Sequence, residues 1–349
     1  MDDDIDRASV LSRLSDMLDS MGESKVTLIG DVMLDRFHHG YANNLDSTAP
    51  VPVLKIMRTE ETPGAAAHIA LGLRSLGMQV SLHCCVGDDR EGRTIVTKLS
   101  EHGISSDGIQ TVPERSTLTK IRFYGSRESL LEESQILLQA DRGPRDMISD
   151  DIRQTVAQGA MSQISNSCAV VLSDYDKGVL DTDTSLMLIA AAKRAALPVI
   201  ADPKLTGLDR SAGADVALFE NRGLNLLARR QGITDQAKAA EDLISRYGWQ
   251  ALLVLRGTEG VTLYRANEEP LHIPCMSPSA VQQIGLHDAA ATALAAALGN
   301  GLTMIDAATL AAAACDCILA AEASREFVDK ETLRLWIDEL SWQLRISDR

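Results

Sequence analysis

The chain has 349 residues, 45% of them apolar and only 3% aromatic, with a formal net charge of −15 and an isoelectric point near 4.9. The acidic balance argues against a partner with a phosphate backbone, and the scarcity of rings argues against a stacking platform for single-stranded nucleic acid. Small anionic ligands stay open, because a helix terminus and a few Arg or Lys outweigh the global field locally.

The length suits one large α/β unit. Cys84, Cys85, Cys168, Cys275, Cys315 and Cys317 form no CxxC pair and no zinc spacing, and most lie in apolar runs. Buried, reduced thiols in the cytoplasm are expected. The start, Met1-Asp2-Asp3-Asp4, lacks a basic-then-apolar signal pattern. No strongly apolar run reaches the ~18 residues of a membrane span. The Ala-rich stretch 307–321 comes nearest, but Asp316 interrupts it. The expectation is a soluble protein with no membrane partner.

In chain order, apolar spacing predicts an amphipathic helix over 5–22, ended by Gly22. A strand over 25–30 follows and meets Asp31 and Asp35. Ligands gather at the carboxyl ends of strands in an α/β sheet, so these acids are site candidates; a turn cap and a solvated acid are the plain alternatives. Residues 36–47 read as a polar stretch, and 49–56, with its prolines, as an edge strand outside the main sheet. Thr62-Pro-Gly-Ala-Ala-Ala-His68 is a small-residue turn entering a helix over 69–76. Such a turn brings backbone N–H groups near a ligand; His68 in the first turn either faces that ligand or packs.

A strand over 80–86 and a helix over 92–102 come next. Strands over 117–124 and 136–138 join 49–56 in a small β-layer. The chain then becomes regularly α/β: helix 148–164, strand 169–173, helix 183–196, strand 198–201, strand 216–219, helices 223–231 and 235–247, strand 251–255. A hairpin over 261–273 and helices 288–298, 306–322 and 330–340 close the chain. This order predicts a mostly parallel, doubly wound sheet, with strand ends near 31, 174, 202, 221 and 256 along one rim.

The stretch Ala280-Val-Gln-Gln-Ile-Gly-Leu-His-Asp288 delivers the chain into an Ala-rich helix. Asp288 therefore falls at or beside a helix N-cap. The plain reading is a cap; the chemical one is a base beside an anion hole formed by the helix terminus.

Gly30-Asp-Val-Met-Leu-Asp-Arg36, Ala49-Pro-Val-Pro-Val53, Thr117-Leu-Thr-Lys120, Ser173-Asp-Tyr-Asp-Lys-Gly178 and Ala201-Asp-Pro-Lys204 follow one another across about residues 25–325. In that order the chain resembles the ribokinase-like (PfkB) carbohydrate kinases, most of all the kinase domain that makes heptose 1,7-bisphosphate for lipopolysaccharide. The resemblance implies a single ribokinase-like domain over 1–349, with a β-lid near 49–56 and 117–140 that often makes a dimer interface, so a homodimer is expected; residues 330–349 only finish the fold, so the nucleotidyltransferase often fused to heptose kinases is expected to be absent. It implies ATP and Mg2+, a sugar or sugar-phosphate acceptor, and Asp288 as the base that deprotonates the acceptor hydroxyl. Gly285, Leu286 and His287 would form the anion hole. Asp31, Asp35, Gly64, His68 and Lys177 would lie on the acceptor side, and Lys204, Asn221, Arg256, Gly257 and Gly260 on the nucleotide side, with no metal ligand assigned.

The departures fall at the same positions. The family signature Asp, any, Thr, Gly, Ala, Gly, Asp reads here Gln282, Gln283, Ile284, Gly285, Leu286, His287, Asp288. His287 replaces a glycine where a side chain either blocks the hole or donates to phosphate. The double glycine is Gly64-Ala65, and a sugar-contacting asparagine is His68. The acid that organises magnesium is Leu224, the glycine after Asp-Pro-Lys is Leu205, and a lid arginine is Gln139, after an insertion near Glu128–Glu133. Two expectations follow: a PfkB-type kinase with an atypical anion hole, or a pseudokinase that keeps the fold as a sugar-phosphate or nucleotide binder or partner subunit.

Overall fold

The computed structural model describes residues 2–22, 24–126, 135–144, 146–277, 284–321 and 327–347. The first part of the chain runs α1 (Asp2–Ser20), β1 (Lys25–Gly30), β2 (Val32–Leu45), β3 (Pro52–Ala65), α2 (Ala66–Ser75), β4 (Gln79–Gly87), α3 (Arg90–Glu101), β5 (Ile109–Val112), β6 (Thr119–Ser126) and β7 (Gln135–Arg142). The second part runs α4 (Asp150–Ile164), β8 (Ala169–Ser173), α5 (Thr182–Arg194), β9 (Val199–Asp202), β10 (Val216–Glu220), α6 (Asn221–Arg230), α7 (Gln236–Tyr247), β11 (Ala251–Leu255), β12 (Val261–Arg265), β13 (Leu271–Ile273), α8 (Leu286–Gly299), α9 (Met304–Ala320) and α10 (Lys330–Ser347).

Nine strands form the main sheet in the order β13-β12-β11-β10-β9-β8-β1-β4-β5. From β11 to β5 every pairing is parallel, and β12 and β13 add an antiparallel edge. The central strands β8 and β11 are buried at every position, as continuous apolar runs must be when helices cover both faces. One face packs α1, α2, α8, α9 and α10 around Leu14, Ile69, Leu294 and Leu310. The other packs α4 to α7 around Val156, Leu188, Leu224 and Leu243. The chain leaves β1 toward β4 on one side and returns as β8 on the other, which makes the β1/β8 boundary the switch point where α/β sheets hold ligands. Registers put Gly30 beside Ser173, Ser173 beside Asp202, and Glu220 beside Leu255, so the expected rim is level.

A second sheet, β3-β2-β6-β7, forms the lid. Here the chain departs from the sequence reading. Of the stretch 36–47, read as polar, residues 36–45 belong to the long strand β2, and the small-residue turn at 62–65 is the end of β3. Pairing with β3 on one side and β6 on the other satisfies the backbone of β2, which its mixed side chains gave no period to announce. The short edge strand β5 was also not anticipated. Arg36 ties the lid down, donating to Glu61 on β3 at 2.7 Å and to Glu91 on α3 at 2.8 Å. The expected insertion near Glu128–Glu133 lies outside the described residues. Among the described residues no helix is long and apolar enough to cross a membrane.

Small residues set how closely the helices meet at the rim. Gly72 on α2 faces Thr292 on α8, and a β-carbon there would lie 2.9 Å from Thr292 Oγ1. One turn earlier on each helix stand His68 and Asp288. The glycine contact therefore decides the distance between them.

Candidate active site

Asp288 is the third residue of α8, not its cap. Gly285, at φ 94°, occupies the N-cap in the left-handed region, and no side chain caps the helix. Intrahelical bonding begins with Ala289 N donating to Gly285 O at 2.9 Å, so the amides of Leu286, His287 and Asp288 belong to the unclosed first turn. The Asp288 carboxylate, 7% exposed, turns instead to His68, with Oδ2 lying 3.2 Å from Nδ1. The His68 ring packs edge-on to Phe327.

Asp35 stands beside this pair. Arg122 Nη1 on β6 donates to its Oδ1 at 2.6 Å, and both side chains are buried. Burial raises the Asp35 pKa, Arg122 opposes that rise, and the nearby charge of Asp288 adds to it. Gly64 makes the arrangement possible, because a β-carbon there would collide with Asp35 Oδ2. Ala65 follows at φ 56°, so the chain keeps a glycine-like backbone at a position where the residue is alanine. Arg122 pairs across the ladder with Gln139. The lid arginine missing at 139 thus has a counterpart on the neighbouring strand, and cross-strand partners share a face.

A cavity of about 560 Å³ opens from Asp288 along the rim. Lys120, Arg122, Tyr175, Lys204, Arg222 and Arg256 line it, with Glu220, Asn221 and the segment from Ile284 to Asp288. Cations outnumber acids here, on a chain of net charge −15. Lys204 Nζ sits 3.9 Å above the Tyr175 ring. Arg256 donates to Thr262, Asn221, Gln236 and Tyr264, all of them neutral acceptors. A second polar cavity, about 530 Å³, surrounds His83 near the amino ends of β1 and β4, the opposite rim from the one α/β sheets use.

The His287 ring turns to the strand ends. Its Nδ1 lies 2.8 Å from Asp202 Oδ1, and its Nε2 3.6 Å from Glu220 Oε1. Burial disfavours its charge, but Asp202 and Glu220 prevail and raise its pKa to about 10.

Of the residues expected at the site, Asp288, Gly285, Leu286, His287, Lys204, Asn221, Arg256 and Gly257 line the cavity, and Asp35, Gly64 and His68 stand behind Asp288. Asp31, Lys177 and Gly260 are placed elsewhere. The Asp31 carboxylate accepts from the backbone amides of Tyr175, Lys177 and Val179, holding the 175–179 loop, and burial raises its pKa to about 6. The Lys177 side chain is exposed. Gly260 packs against the backbone of Ile273. Leu224, in the place of an acid, is buried in the core. Sequence reasoning passed over Lys120, Arg122, Tyr175 and Arg222. The one available signal was Lys120 and Arg122 at alternate positions of a strand, which puts both on one face.

The sequence profile described as pfkB family carbohydrate kinase matches residues 23–330. The chain belongs to this family. It is 34% identical to the bifunctional protein HldE of Paramagnetospirillum magneticum over 303 residues, 86% of this chain and 61% of that one. To the bifunctional protein HldE of Aliivibrio fischeri it is 31% identical, with the same coverage of each. The chain thus spans about three fifths of the length of these curated relatives. Its fold is similar to that of Escherichia coli phosphofructokinase-2 in complex with potassium, with a TM-score of 0.72 at 15% identity over 91% of this chain and 99% of that one. It is also similar to Arabidopsis thaliana ribokinase complexed with ribose and ATP, with a TM-score of 0.68 at 17% identity over 90% and 98%. The architecture is ribokinase-like.

Proposed function

We propose that this PfkB-family chain transfers the γ-phosphoryl group of ATP to a hydroxyl of a sugar phosphate of the heptose 7-phosphate kind. The observation that carries this reading is the buried Asp288 carboxylate held 3.2 Å from His68 at the open N-terminus of α8. A carboxylate fixed there takes the proton of an acceptor hydroxyl while the first-turn amides face the phosphoryl oxygens. Phosphoryl transfer asks for little more than positioning and charge stabilisation. Asp35, oriented by Arg122, supplies an acceptor for sugar hydroxyls, and Lys120 and Arg122 bring positive charge to the same end. Lys204, Arg222 and Arg256 suit the polyphosphate of a nucleotide.

Magnesium fits this site only as an ion carried in by the nucleotide. Among the described residues no cluster of three or more metal-binding side chains occurs, and Asp202 and Glu220 already flank His287. Mg2+ commonly keeps its waters and binds phosphate oxygens, which asks little of the protein.

A homodimer through the lid accompanies the proposal. Val53, Ile56 and Met57 on β3 and Ile136 and Leu138 on β7 are exposed there, and apolar surface gathered on one sheet marks an interface. Light scattering of a lid variant carrying charges at Ile56 and Leu138 tests it: a monomer is expected, and an unchanged dimer refutes the lid as interface.

The catalytic reading is tested by ADP release on a panel of sugars and sugar phosphates, with ATP affinity measured by calorimetry. ADP released with one acceptor supports a kinase and names its substrate. Nucleotide bound without turnover on any acceptor supports the pseudokinase reading, which the replacement of an acid by the buried Leu224 raises.

A further inference from the structure

Asp202 and Glu220 end the neighbouring strands β9 and β10, and both carboxylates converge on one side chain. Asp202, 1% exposed, holds His287 Nδ1 at 2.8 Å, and Glu220, on the open side of the cavity, approaches Nε2 at 3.6 Å. A neutral imidazole carries one N–H and one lone pair. Nδ1 lies within hydrogen-bond distance of Asp202, and Glu220, just beyond hydrogen-bond reach of Nε2, adds a second negative charge, so two acids favour the imidazolium over the neutral ring. Lys204 is the cation that opposes its charge, and Arg222 is a further positive group acting on Glu220. The high pKa of His287 agrees with the geometry.

Without His287, two carboxylates would face the start of α8, where an anion is to bind. Two acids side by side either repel that anion or recruit a cation. Here the cation is part of the chain. Asp202 Oδ2 is buried with no hydrogen-bond partner among the described residues, but one carboxylate oxygen is not a metal site. The helix dipole and the amides of Leu286 to Asp288 are then left to act on the ligand.

We propose that His287 is the resident counter-cation of Asp202 and Glu220, taking the position between them that a divalent ion would otherwise hold, so that this end of the cavity receives its anion without a metal bound to the protein. That the anion is a phosphate rests on the kinase reading; the charge balance does not. The side chain that replaces a glycine of the family signature thus neither plugs the hole nor reaches into it.

Two measurements on the full chain, made without nucleotide, test this. Nitrogen-15 NMR of the native protein at pH 8.5 reads the ring directly: both nitrogens protonated is expected, and a neutral tautomer overturns the proposal. Manganese titration followed by electron paramagnetic resonance compares the native protein with His287→Gln, whose fold is checked by circular dichroism. The native chain is expected to take no Mn2+ at this end. The variant should gain one equivalent, lost again when Asp202→Asn and Glu220→Gln are added. Native binding that Asp202→Asn or Glu220→Gln removes overturns the proposal, as does a folded variant that gains nothing. Neither measurement uses turnover, so a chain without kinase activity fails the kinase reading alone.

Discussion

The two ends of the cavity handle charge in opposite ways. Beside Asp288 the buried acids have partners in the protein, Arg122 on Asp35 and His68 against Asp288, because an unpaired charge there would carry a large desolvation penalty. At the end lined by Asn221 and Arg256, Arg256 has only neutral acceptors among the described residues, and Arg222 is exposed in the cavity wall. A water-filled rim tolerates surplus charge, and the surplus is available to a ligand. The first end pairs its buried acids internally; the second carries surplus positive charge.

That contrast can be broken experimentally. Asp288→Asn should lower kcat by about 10²–10⁴-fold, the usual loss of a general base, with ATP affinity unchanged. Turnover at the native rate would remove Asp288 from the proposed chemistry. Arg122→Ala strands the Asp35 carboxylate and should destabilise the fold by about 3 kcal/mol in urea titrations, besides weakening acceptor binding. A β-carbon at Gly72 presses on Thr292, so Gly72→Ala should lose about 2 kcal/mol through overpacking and lower kcat by shifting His68 from Asp288.

At the other end the expected signature reverses. Arg256→Ala should weaken ATP binding about tenfold, or about 1.4 kcal/mol, with acceptor affinity unaffected. A variant that unfolded as readily as Arg122→Ala would show that Arg256 holds the fold and erase the distinction between the ends. The smallest effect is a gain: Ala65→Gly relieves a positive φ and should raise stability by about 1 kcal/mol, read from the urea midpoint.

The main sheet was legible because its strands are buried on both faces. Residues 169–172 and Ala251–Leu255 are unbroken apolar runs, and the strands β8 and β11 form over the expected residues. The lid was less so. His38, His39, Asn43 and Asn44 gave β2 no alternation to read, since only part of that strand is buried. Asp288 and the rim could be located from the loop-to-helix transition and from the polar residues after each strand. Asp31 was equally visible, yet only its three backbone donors separate it from Asp35.

By itself the sequence determined the sheet, the order of its strands' polar ends and the acid at the head of the Ala-rich helix, because apolar periodicity and helix starts are local properties of the chain. Tertiary structure decided which charges meet. Arg122 reaches Asp35 from 87 positions away, and His287 reaches Asp202 from 85. Those distances are bridged by strand pairing and helix packing, and a pairing of charges exists only once the backbone has brought them into the same low-dielectric space.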